Sequence, residues 1–315
     1  MTHVRDIGIV IVTYNSGTEI DACLNAAIPT GAEIVVVDNG SGDNTCNQVS
    51  RRGVRLISNP GNCGFAAAVN QGMRALRAPY VLLLNPDAVI QDGIEALREA
   101  CEQPQTAAAG GVLLDGSGAM QRGFMVRQFP TPAALGFEAL LINRLWPRNP
   151  VNWHYRCLGL ACDKPVEVDQ PAGAFLMIRR DVWEKLRGFD ENFFPIWFEE
   201  VDFLKRAHDE GYRTWLVPGA VAKHTGGHSI RKNSLEFQQL YWYRSLLKYS
   251  AKHFPPGAEK AVCLAVIIGS LLRTVLGIPR QRSLKPIVVY GKVVKLAIRQ
   301  LFSGRQDEVE VLSFP

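Results

Sequence analysis

The chain has 315 residues, of which 47% are hydrophobic and 21% charged, and this composition is typical of a globular protein with a sizeable core. Its net charge of +5 comes from 35 Lys and Arg against 30 Asp and Glu. Residues 261–315 hold eight of the basic and three of the acidic residues, so the remaining 27 of each sign leave the body of the chain neutral. A neutral body without basic residues interleaved with aromatic ones argues against a nucleic-acid-binding protein.

The cysteines and the N-terminal residues bear on the cellular compartment. The seven cysteines form no Cys-x-x-Cys pair, which argues against a zinc ribbon or a disulfide framework and favours a reducing cytosol. Residues 1–6 are polar, and the apolar run at 7–12 is only long enough for a strand. The sequence therefore predicts no signal peptide and a cytoplasmic location.

Continuous apolar runs in the first hundred residues predict strands that are buried on both faces of a sheet. They cover residues 7–13, 33–38 and 80–85, with a weaker run at 54–58. Helix-like stretches alternate with them near residues 17–27, 43–52, 64–78 and 92–102. Repeated βα units of this kind predict an α/β fold, in which a mostly parallel, Rossmann-like sheet is flanked by helices.

Polar, turn-forming residues follow each predicted strand, at the sheet edge where ligands bind in parallel α/β folds. These segments are residues 13–16, 38–43, 59–64 and 85–87. Turn and helix-cap chemistry explains any one of them by itself. Four such segments at one predicted edge indicate a binding site.

The alternation of strands and helices breaks between residues 119 and 168, where Pro, Arg and Trp residues predict a lid or a substrate-facing insertion. Regular structure returns with a predicted strand at 172–178 and a helix at 180–186. A further helix at 196–209 carries three acids near its first turn. A short strand at 213–217 precedes a polar loop at 223–229.

Three C-terminal segments have helical character. Residues 235–253 are predicted to be helical, and residues 262–278 are strongly apolar but contain Arg273, which predicts a buried or interfacial helix. Residues 287–302 predict a basic amphipathic helix, suited to an anionic bilayer surface. The alternative is a helical subdomain packed on the preceding domain. We expect a catalytic domain at 1–232 and a helical extension at 233–315 that contacts the membrane.

The acid after the third apolar run points to metal-assisted chemistry. A nucleoside diphosphate leaving group develops negative charge, which a divalent cation held by carboxylates can stabilise. Asp87 directly follows a buried strand and is placed as such a ligand, and Mg²⁺ and Mn²⁺ both prefer oxygen donors. Asp38, after another strand, is placed to accept hydrogen bonds from a base or a ribose.

The acidic helix start offers general bases for an attacking hydroxyl, namely Glu199, Glu200 and Asp202. On a helix Glu199 and Asp202 share a face, whereas Glu200 projects about a hundred degrees away. Favourable interaction with the helix dipole is the alternative role for these acids. It does not explain the preceding aromatic pair, Trp197 and Phe198, which would form a rim for sugar stacking.

His224 stands in the polar loop with Gly226, Gly227 and Ser229. Such a loop favours a phosphate or metal contact, although a buried structural histidine is the alternative.

An ordered set of segments resembles the family 2 glycosyltransferases of the GT-A fold, and in particular their bacterial rhamnosyltransferase-like branch. The resemblance covers about residues 5–230. The matching segments are VIVTYNS at 10–16, VVDNGS at 36–41, NCGFAAAVNQG at 62–72, LLNPD at 83–87, GAFLMIR at 173–179, FEEVDF at 198–203 and HTGG at 224–227.

The resemblance implies an inverting transfer from a nucleotide-diphosphate sugar. Asp87 would match the last acid of the family's DxD metal motif, with Asn85 in place of the first, and His224 the metal- or diphosphate-contacting histidine. Glu200 would be the base. The nucleotide-sugar contacts would be Thr13, Tyr14, Asn15, Asp38, Asn39, Asn62, Gly64, Asn70, Asn85 and Asp87, and the acceptor contacts Gly173, Ala174 and Trp197.

The rhamnosyl branch implies dTDP-rhamnose as donor and a lipid-linked or growing polysaccharide acceptor, at the inner face of the membrane. The same machinery would also serve another donor sugar, such as galactofuranose or N-acetylglucosamine. A nucleotidyltransferase would require a Gly- and Arg-rich loop after the first strand, and a dinucleotide oxidoreductase would require GxGxxG there; the sequence has neither. A non-catalytic sugar-nucleotide-binding protein is a further alternative, against which the acids at 199, 200 and 202 count.

Overall fold

The computed structural model of the chain describes residues 6–226 and 234–303. Gly227 and Ser229 of the predicted polar loop and residues 304–315 of the predicted C-terminal extension lie outside the described residues.

Strands and helices alternate through the first half of the described chain, and helices follow one another near its end. The strands are β1 (Ile7–Thr13), β2 (Glu33–Asp38), β3 (Arg55–Ser58), β4 (Tyr80–Leu84), β5 (Ala88–Asp92), β6 (Thr106–Leu114), β7 (Val126–Arg127), β8 (Val166–Glu167), β9 (Gln170–Pro171), β10 (Phe175–Arg179) and β11 (Arg213–His224). The helices are α1 (Ile20–Ala27), α2 (Thr45–Ser50), α3 (Phe65–Ala75), α4 (Ile94–Glu102), α5 (Pro132–Ala139), α6 (Ile142–Leu145), α7 (Pro150–Tyr155), α8 (Arg180–Lys185), α9 (Glu199–Asp209), α10 (Leu235–His253), α11 (Pro256–Gln281) and α12 (Lys285–Ser303).

The main sheet has the strand order β3-β2-β1-β4-β10-β6-β11-β5, and β8 pairs with β11. Strands β3, β2, β1 and β4 are mutually parallel, as the βα alternation predicts. Strand β6 pairs in parallel with β11. Strand β10 lies antiparallel between β4 and β6 and so joins the two parallel groups.

The first strand shows why its sequence is apolar throughout. Ile9 and Ile11 belong to the hydrophobic cluster on one face of the sheet, and Val10 and Val12 to the cluster on the other. Successive side chains of a strand point to opposite faces, so a strand covered by helices on both sides has no polar position.

Two compact units divide the chain. The first contains Met1–Phe129, Arg156–Pro195 and Glu199–Lys232 and holds the main sheet. The second contains Pro130–Tyr155, Ile196–Phe198 and Asn233–Pro315. Its helices therefore include α5–α7, from the stretch predicted to be a lid or an insertion. The boundary predicted at 232/233 remains a prediction.

Within the second unit, α11 packs against α5, α10 and α12. Gly269 allows α11 to approach the end of α5 closely, because a Cβ at this position would lie 1.9 Å from the Ala139 carbonyl oxygen. Arg273 donates hydrogen bonds to the carbonyl oxygens of Glu138, at 2.9 Å, and Ala139. A cation at a helix C-terminus is a favourable partner for these carbonyl groups.

The structure corrects one local prediction that concerns the site. Strand β11 does not end near residue 217 but runs on to His224. His224 is therefore the last residue of a strand and lies outside the loop that the sequence predicts. Strands β5 and β6 were also not predicted.

Gly72 in the middle of α3 allows the helix to pack on β1, because a Cβ there would lie 2.5 Å from Cγ1 of the buried, stiff Val10. We expect Gly72→Ala to lower the free energy of unfolding by about 1–3 kcal/mol, since the overpacking outweighs the gain in helix propensity. Urea or thermal unfolding measures the change.

Gly291→Ala is the matched control, since it also lies within a helix but has no atom within 4 Å of the added methyl group. It should leave stability unchanged or raise it by up to about 1 kcal/mol. Equal effects of the two substitutions would contradict this account of the packing.

Candidate functional site

Asp38 organises the loops that follow β1 and β2. Its carboxylate accepts hydrogen bonds from the Thr13 hydroxyl at 2.8 Å, from the Ser41 hydroxyl at 2.5 Å and from the amides of Gly40 and Ser41. Both Asp38 and Thr13 are fully buried. A direct contact between Asp38 and a nucleotide would replace one of these bonds, so the structure favours a role in holding the loop.

The same loops present more accessible polar groups close by. The Asn15 side-chain oxygen accepts a hydrogen bond from the Gly42 backbone amide at 2.8 Å, and the Asn15 backbone amide donates to the Ser41 hydroxyl. Asn15 has a φ of 52°, in the left-handed region that asparagine tolerates. Tyr14 and Asn15 are partly exposed. They are thus placed to meet a ligand at this edge.

Asn39 ties the β2 loop to the start of α3. Its side-chain amide donates to the Gly64 carbonyl at 3.2 Å, and its side-chain oxygen accepts from Asn59. The Gly64 amide in turn donates to the Asn62 side chain at 2.9 Å. The sequence-predicted residues Asn39, Asn62 and Gly64 are therefore brought together.

Asn70, also predicted to contact the donor, is 1% exposed. Its amide group donates to the Phe189 carbonyl and to Glu191, and its side-chain oxygen accepts from the Trp183 indole and the Phe189 amide. These four bonds fill its hydrogen-bonding capacity. We therefore assign Asn70 a structural role, in place of the predicted contact with the nucleotide-sugar.

The Asn85–Asp87 segment forms the turn between β4 and β5. The Asn85 amide donates to the Ala174 carbonyl at 3.0 Å, and the Ala88 amide donates back to the Asn85 carbonyl at 3.0 Å. Strand β5 then pairs with β11, with Ala88 opposite His224. This register sets the residue before Ala88 beside the end of β11.

Asp87 and His224 consequently meet. Asp87 Oδ1 lies 3.4 Å from Nε2 of His224, and both side chains are 10% exposed or less. The Thr225 amide donates to the Asp87 carbonyl at 3.2 Å, which fixes the two backbone segments together.

Gln121 and Phe124 orient His224. The Gln121 side-chain amide donates to the His224 carbonyl at 2.8 Å, so its side-chain oxygen is the atom that faces Nδ1 at 3.0 Å. An oxygen there accepts a hydrogen bond from Nδ1–H, which leaves the lone pair of neutral His224 on Nε2, towards Asp87. Phe124 stacks on the imidazole with ring centroids 5.3 Å apart.

The Asp87 carboxylate and the His224 imidazole are suited to bind a divalent cation. The Asp87 carboxylate oxygen and the His224 Nε2 atom are both acceptors, and 3.4 Å is close enough for both to bind one ion at about 2.1 Å. Among the described residues no group of three or more His, Cys, Asp or Glu could hold a metal. Any further ligands would come from water and from substrate phosphate, as is usual for Mg²⁺.

The three acids of α9 differ in their surroundings. Asp202 is fully buried and paired with Arg206 at 2.8 Å, and Arg206 also donates to the carbonyls of Leu186 and Gly188. Asp202 therefore holds α9 in place, which leaves it poorly suited to be the predicted catalytic base.

Glu199 is 3% exposed, and its Oε2 atom has no hydrogen-bond partner among the described residues. Burial, together with the neighbouring charge of Glu200, raises the pKa of Glu199 well above its usual range. Burial also raises the pKa of Glu200, against the lowering effect of hydrogen bonds from its own amide and the charge of Arg127. Glu200 alone of the three acids keeps part of its surface exposed.

Gly173 and Ala174 connect Glu200 to the Asn85–Asp87 turn. A Cβ at Gly173 would lie 3.5 Å from Cγ of Glu200, so the Glu200 side chain packs over this glycine. The next residue, Ala174, accepts the hydrogen bond from Asn85. The two residues predicted to contact the acceptor therefore lie between the Asn85–Asp87 turn and the candidate base. Trp197, the third, belongs to the second unit.

Sequence reasoning missed Gln121, Phe124 and Arg127, all from the stretch at 119–168. This stretch has no periodic pattern, and a glutamine before a short strand carries no signal of its own. The two arginines at 122 and 127, between two predicted regular regions, were a weak indication.

Comparisons with known proteins agree with the sequence resemblance. The family model described as glycosyl transferase family 2 matches residues 8–186. The chain is 31% identical over 244 residues, 71% of its length and 78% of the relative's, to an N-acetylglucosaminyl-diphospho-decaprenol L-rhamnosyltransferase of Mycobacterium tuberculosis. It is also 31% identical to the low-salt glycan biosynthesis hexosyltransferase Agl10 of Haloferax volcanii, over 66% of this chain and 64% of that protein.

Solved structures show the same fold at low sequence identity. The mannosyltransferase PcManGT from Pyrobaculum calidifontis, in complex with GDP-Man and Mn²⁺, has a TM-score of 0.55 at 15% identity, covering 96% of this chain and 88% of its own. GalNAc-T7 with UDP, GalNAc and Mn²⁺ has a TM-score of 0.52 at 14% identity, covering 80% of this chain and 52% of its own. The predicted GT-A fold is confirmed.

We expect Gln121→Leu to weaken Mn²⁺ binding by about tenfold or more, because a metal-bound histidine depends on the group that orients its second nitrogen. Calorimetric titration of Mn²⁺ in the presence of a nucleoside diphosphate measures this change. Gln91→Leu is the control, since Gln91 is exposed on β5.

A ¹⁵N spectrum of the histidines, recorded without metal at a pH of about 9, gives a second measurement. His224 should carry its proton on Nδ1 in the unmodified protein and lose this preference in Gln121→Leu. An unchanged tautomer and an unchanged Mn²⁺ affinity would refute the orienting role.

Proposed function

Because the chain belongs to glycosyltransferase family 2, we propose that it transfers L-rhamnose from dTDP-rhamnose, with inversion, to a lipid-linked or polysaccharide acceptor in the synthesis of cell-envelope glycan. The rhamnosyltransferase name of a relative that is 31% identical supports this choice of sugar. The hexosyltransferase name of a second relative supports the wider class.

The observation that carries the proposal is that the Asp87–His224 pair and the candidate base Glu200 are linked through one turn. Asp87 and His224 meet at one end of the β4–β5 turn. The same turn is bonded through Ala174 to the residue over which Glu200 packs. A sugar whose diphosphate lies at the first group would present its anomeric carbon towards the second.

The donor would lie along the loops after β1, β2 and β4. Tyr14 and Asn15 would contact the nucleotide from the surface of the loop that Asp38 braces. Asn85 would contact the diphosphate side of the donor. A divalent cation, Mg²⁺ or Mn²⁺, held by Asp87 and His224 would supply positive charge beside the diphosphate leaving group.

Glu200 would act as general base towards the acceptor hydroxyl. Its raised pKa makes the carboxylate a stronger proton acceptor than an exposed glutamate, while the charge of Arg127 limits that rise. Gly173, over which the Glu200 side chain packs, would contact the acceptor. Trp197 would stack on a sugar ring.

The acceptor class sets the location that we propose. A lipid-linked acceptor is held at the bilayer surface, so the protein would work in the cytoplasm at the inner face of the membrane. The C-terminal helices would make that contact.

Other donor sugars use the same chemistry. Galactofuranose or N-acetylglucosamine remains the alternative donor, and a non-catalytic sugar-nucleotide-binding protein is the alternative class. The partly exposed carboxylate of Glu200, linked through Gly173 and Ala174 to the Asn85–Asp87 turn, favours the enzyme.

A thermal-shift panel of nucleoside diphosphate sugars tests the donor. We expect dTDP-rhamnose to raise the melting temperature in the presence of Mg²⁺ or Mn²⁺, and much less without a divalent ion, because Asp87 and His224 would act on the diphosphate through the ion. UDP-galactofuranose, UDP-N-acetylglucosamine and GDP-mannose are the comparison compounds.

Asp87→Asn should abolish the metal-dependent part of the shift. A larger rise in melting temperature with another sugar nucleotide would identify that compound as the donor in place of dTDP-rhamnose. No rise with any of the compounds would reject the proposed function.

Glu200→Gln should lower kcat by about 10²–10⁴-fold while donor affinity stays near normal, since the carboxylate would act in the proton transfer and not in donor binding. The base works when it is ionised, so activity should fall as the pH drops through the raised pKa of Glu200. The acidic limb of kcat/KM should therefore lie above about pH 4.3, the ordinary value for glutamate. Arg127→Gln should move this limb to higher pH, because it removes the charge that lowers the pKa.

Asp202→Asn is the comparison variant. It should lower stability through the lost ion pair with Arg206 and affect kcat much less than Glu200→Gln. Near-normal turnover of Glu200→Gln would show that the base is another group, with Glu199→Gln the next variant to measure.

A further inference from the structure

Helix α11 exposes an uninterrupted apolar stripe. Six large aliphatic side chains on it are 44–69% exposed, and they recur at helical spacing so that they share one face. They are Leu264, Ile268, Leu271, Leu272, Val275 and Leu276. Soluble monomers rarely expose a contiguous apolar surface of this kind.

The opposite face of α11 is committed to the protein. Val262, Val266 and Gly269 are buried where the helix packs against α5, α10 and α12. Arg273 is turned to the end of α5, where it donates to the carbonyls of residues 138 and 139. The one charge in the middle of the helix therefore leaves the stripe uncharged.

Among the described residues, α11 is the one helix that is long and apolar enough to cross a membrane, and 33% of its most apolar window is buried. The length of its uncharged run and the contacts of Arg273 argue against a membrane-spanning orientation. The uncharged run at 261–272 has twelve residues. Such a run is about 18 Å long as a helix, against a hydrocarbon core of about 30 Å. A spanning orientation would also place the partners of Arg273 in lipid.

The charges around the stripe favour an anionic bilayer as its partner. Residues 260–303 contain eight Lys and Arg and no Asp or Glu. Lys260 and Arg280 are exposed at the two ends of the stripe; Arg282 follows in the connection to α12, and Lys285 is the first residue of α12. A second copy of this surface would bring like charges together, whereas anionic lipid headgroups complement them.

Helix α12 and the residue before it repeat the pattern. Leu284, Ile287, Val288, Ile298 and Phe302 are exposed and share one face at helical spacing, with Lys295 within the same row. Apolar side chains that alternate with basic ones suit the boundary between headgroups and acyl chains.

We propose that α11 lies in the plane of an anionic bilayer, with its apolar stripe inserted among the acyl chains and the flanking basic residues on the headgroups. This surface deepens the proposed function, on which it rests for its purpose: the acceptor of a lipid-linked substrate is presented in that plane. It places the main membrane contact at residues 264–276, whereas the sequence favours the basic amphipathic helix at 287–302.

Co-sedimentation of the full-length protein with vesicles tests the surface. Binding to vesicles of phosphatidylglycerol and phosphatidylcholine should exceed binding to phosphatidylcholine alone, because the headgroup charge contributes. Ile268→Glu with Val275→Glu should lower the partition coefficient by about tenfold or more, since both residues are at least half exposed on the stripe.

Ile28→Glu with Leu145→Glu is the matched control. Both residues are exposed and lie outside α11 and α12, so this variant has the same net charge as the stripe variant and should bind as the unmodified protein does. Ile268→Leu with Val275→Leu should retain binding. Circular dichroism and the melting temperature establish that each variant is folded.

Three results would overturn the proposal. The first is that the stripe variant binds vesicles as well as the control does. The second is that the unmodified protein does not bind vesicles and forms a dimer that the stripe variant dissociates, which would make the face a protein interface. The third is that the membrane-bound protein resists alkaline extraction, as a protein with a spanning helix does. Vesicle binding needs no donor, so a negative sugar-nucleotide panel rejects the proposed function and leaves this surface intact, and the reverse also holds.

Discussion

Two hydrogen-bond acceptors, the Asp87 carboxylate and Nε2 of His224, lie 3.4 Å apart in a buried position, and much of the first unit keeps them there. A divalent cation would bind both atoms at once, because each carries a lone pair while the imidazole is neutral. The antiparallel register of β5 on β11 sets Ala88 opposite His224. Gln121 then turns the imidazole towards the carboxylate.

The antiparallel strand β10 extends this arrangement to the acidic helix. Phe175 pairs with Leu84, and one step further the Asn85 amide bonds to the Ala174 carbonyl. Gly173 then gives Glu200 a place to pack. A single strand that runs against its neighbours therefore connects the turn that carries Asp87 to the helix that carries Glu200. Burial that raises the pKa of Glu200 would suit its use as a base at the same junction.

The elements with strong periodicity were predictable. The apolar runs of β1, β2 and β4 and the polar residues after them follow from burial on both faces and from turn chemistry. Residue types did not distinguish ligand contacts from internal supports. Asn70 and Asp202 look like functional residues in the sequence, yet each has its polar atoms occupied by protein partners. Gln121 was invisible, because its role depends on a histidine that is distant in sequence.

The sequence by itself determined the α/β architecture, the family, and the identity of Asp87, His224 and Glu200 as candidates, because hydrophobic period and residue chemistry are local properties. The tertiary structure alone decided that Asp87 meets His224, that Glu200 differs from its two acidic neighbours and that one face of α11 is left uncovered. Each of these depends on contacts between distant segments, where strand register and burial fix which atoms meet. Such pairings leave no periodic trace in a single chain.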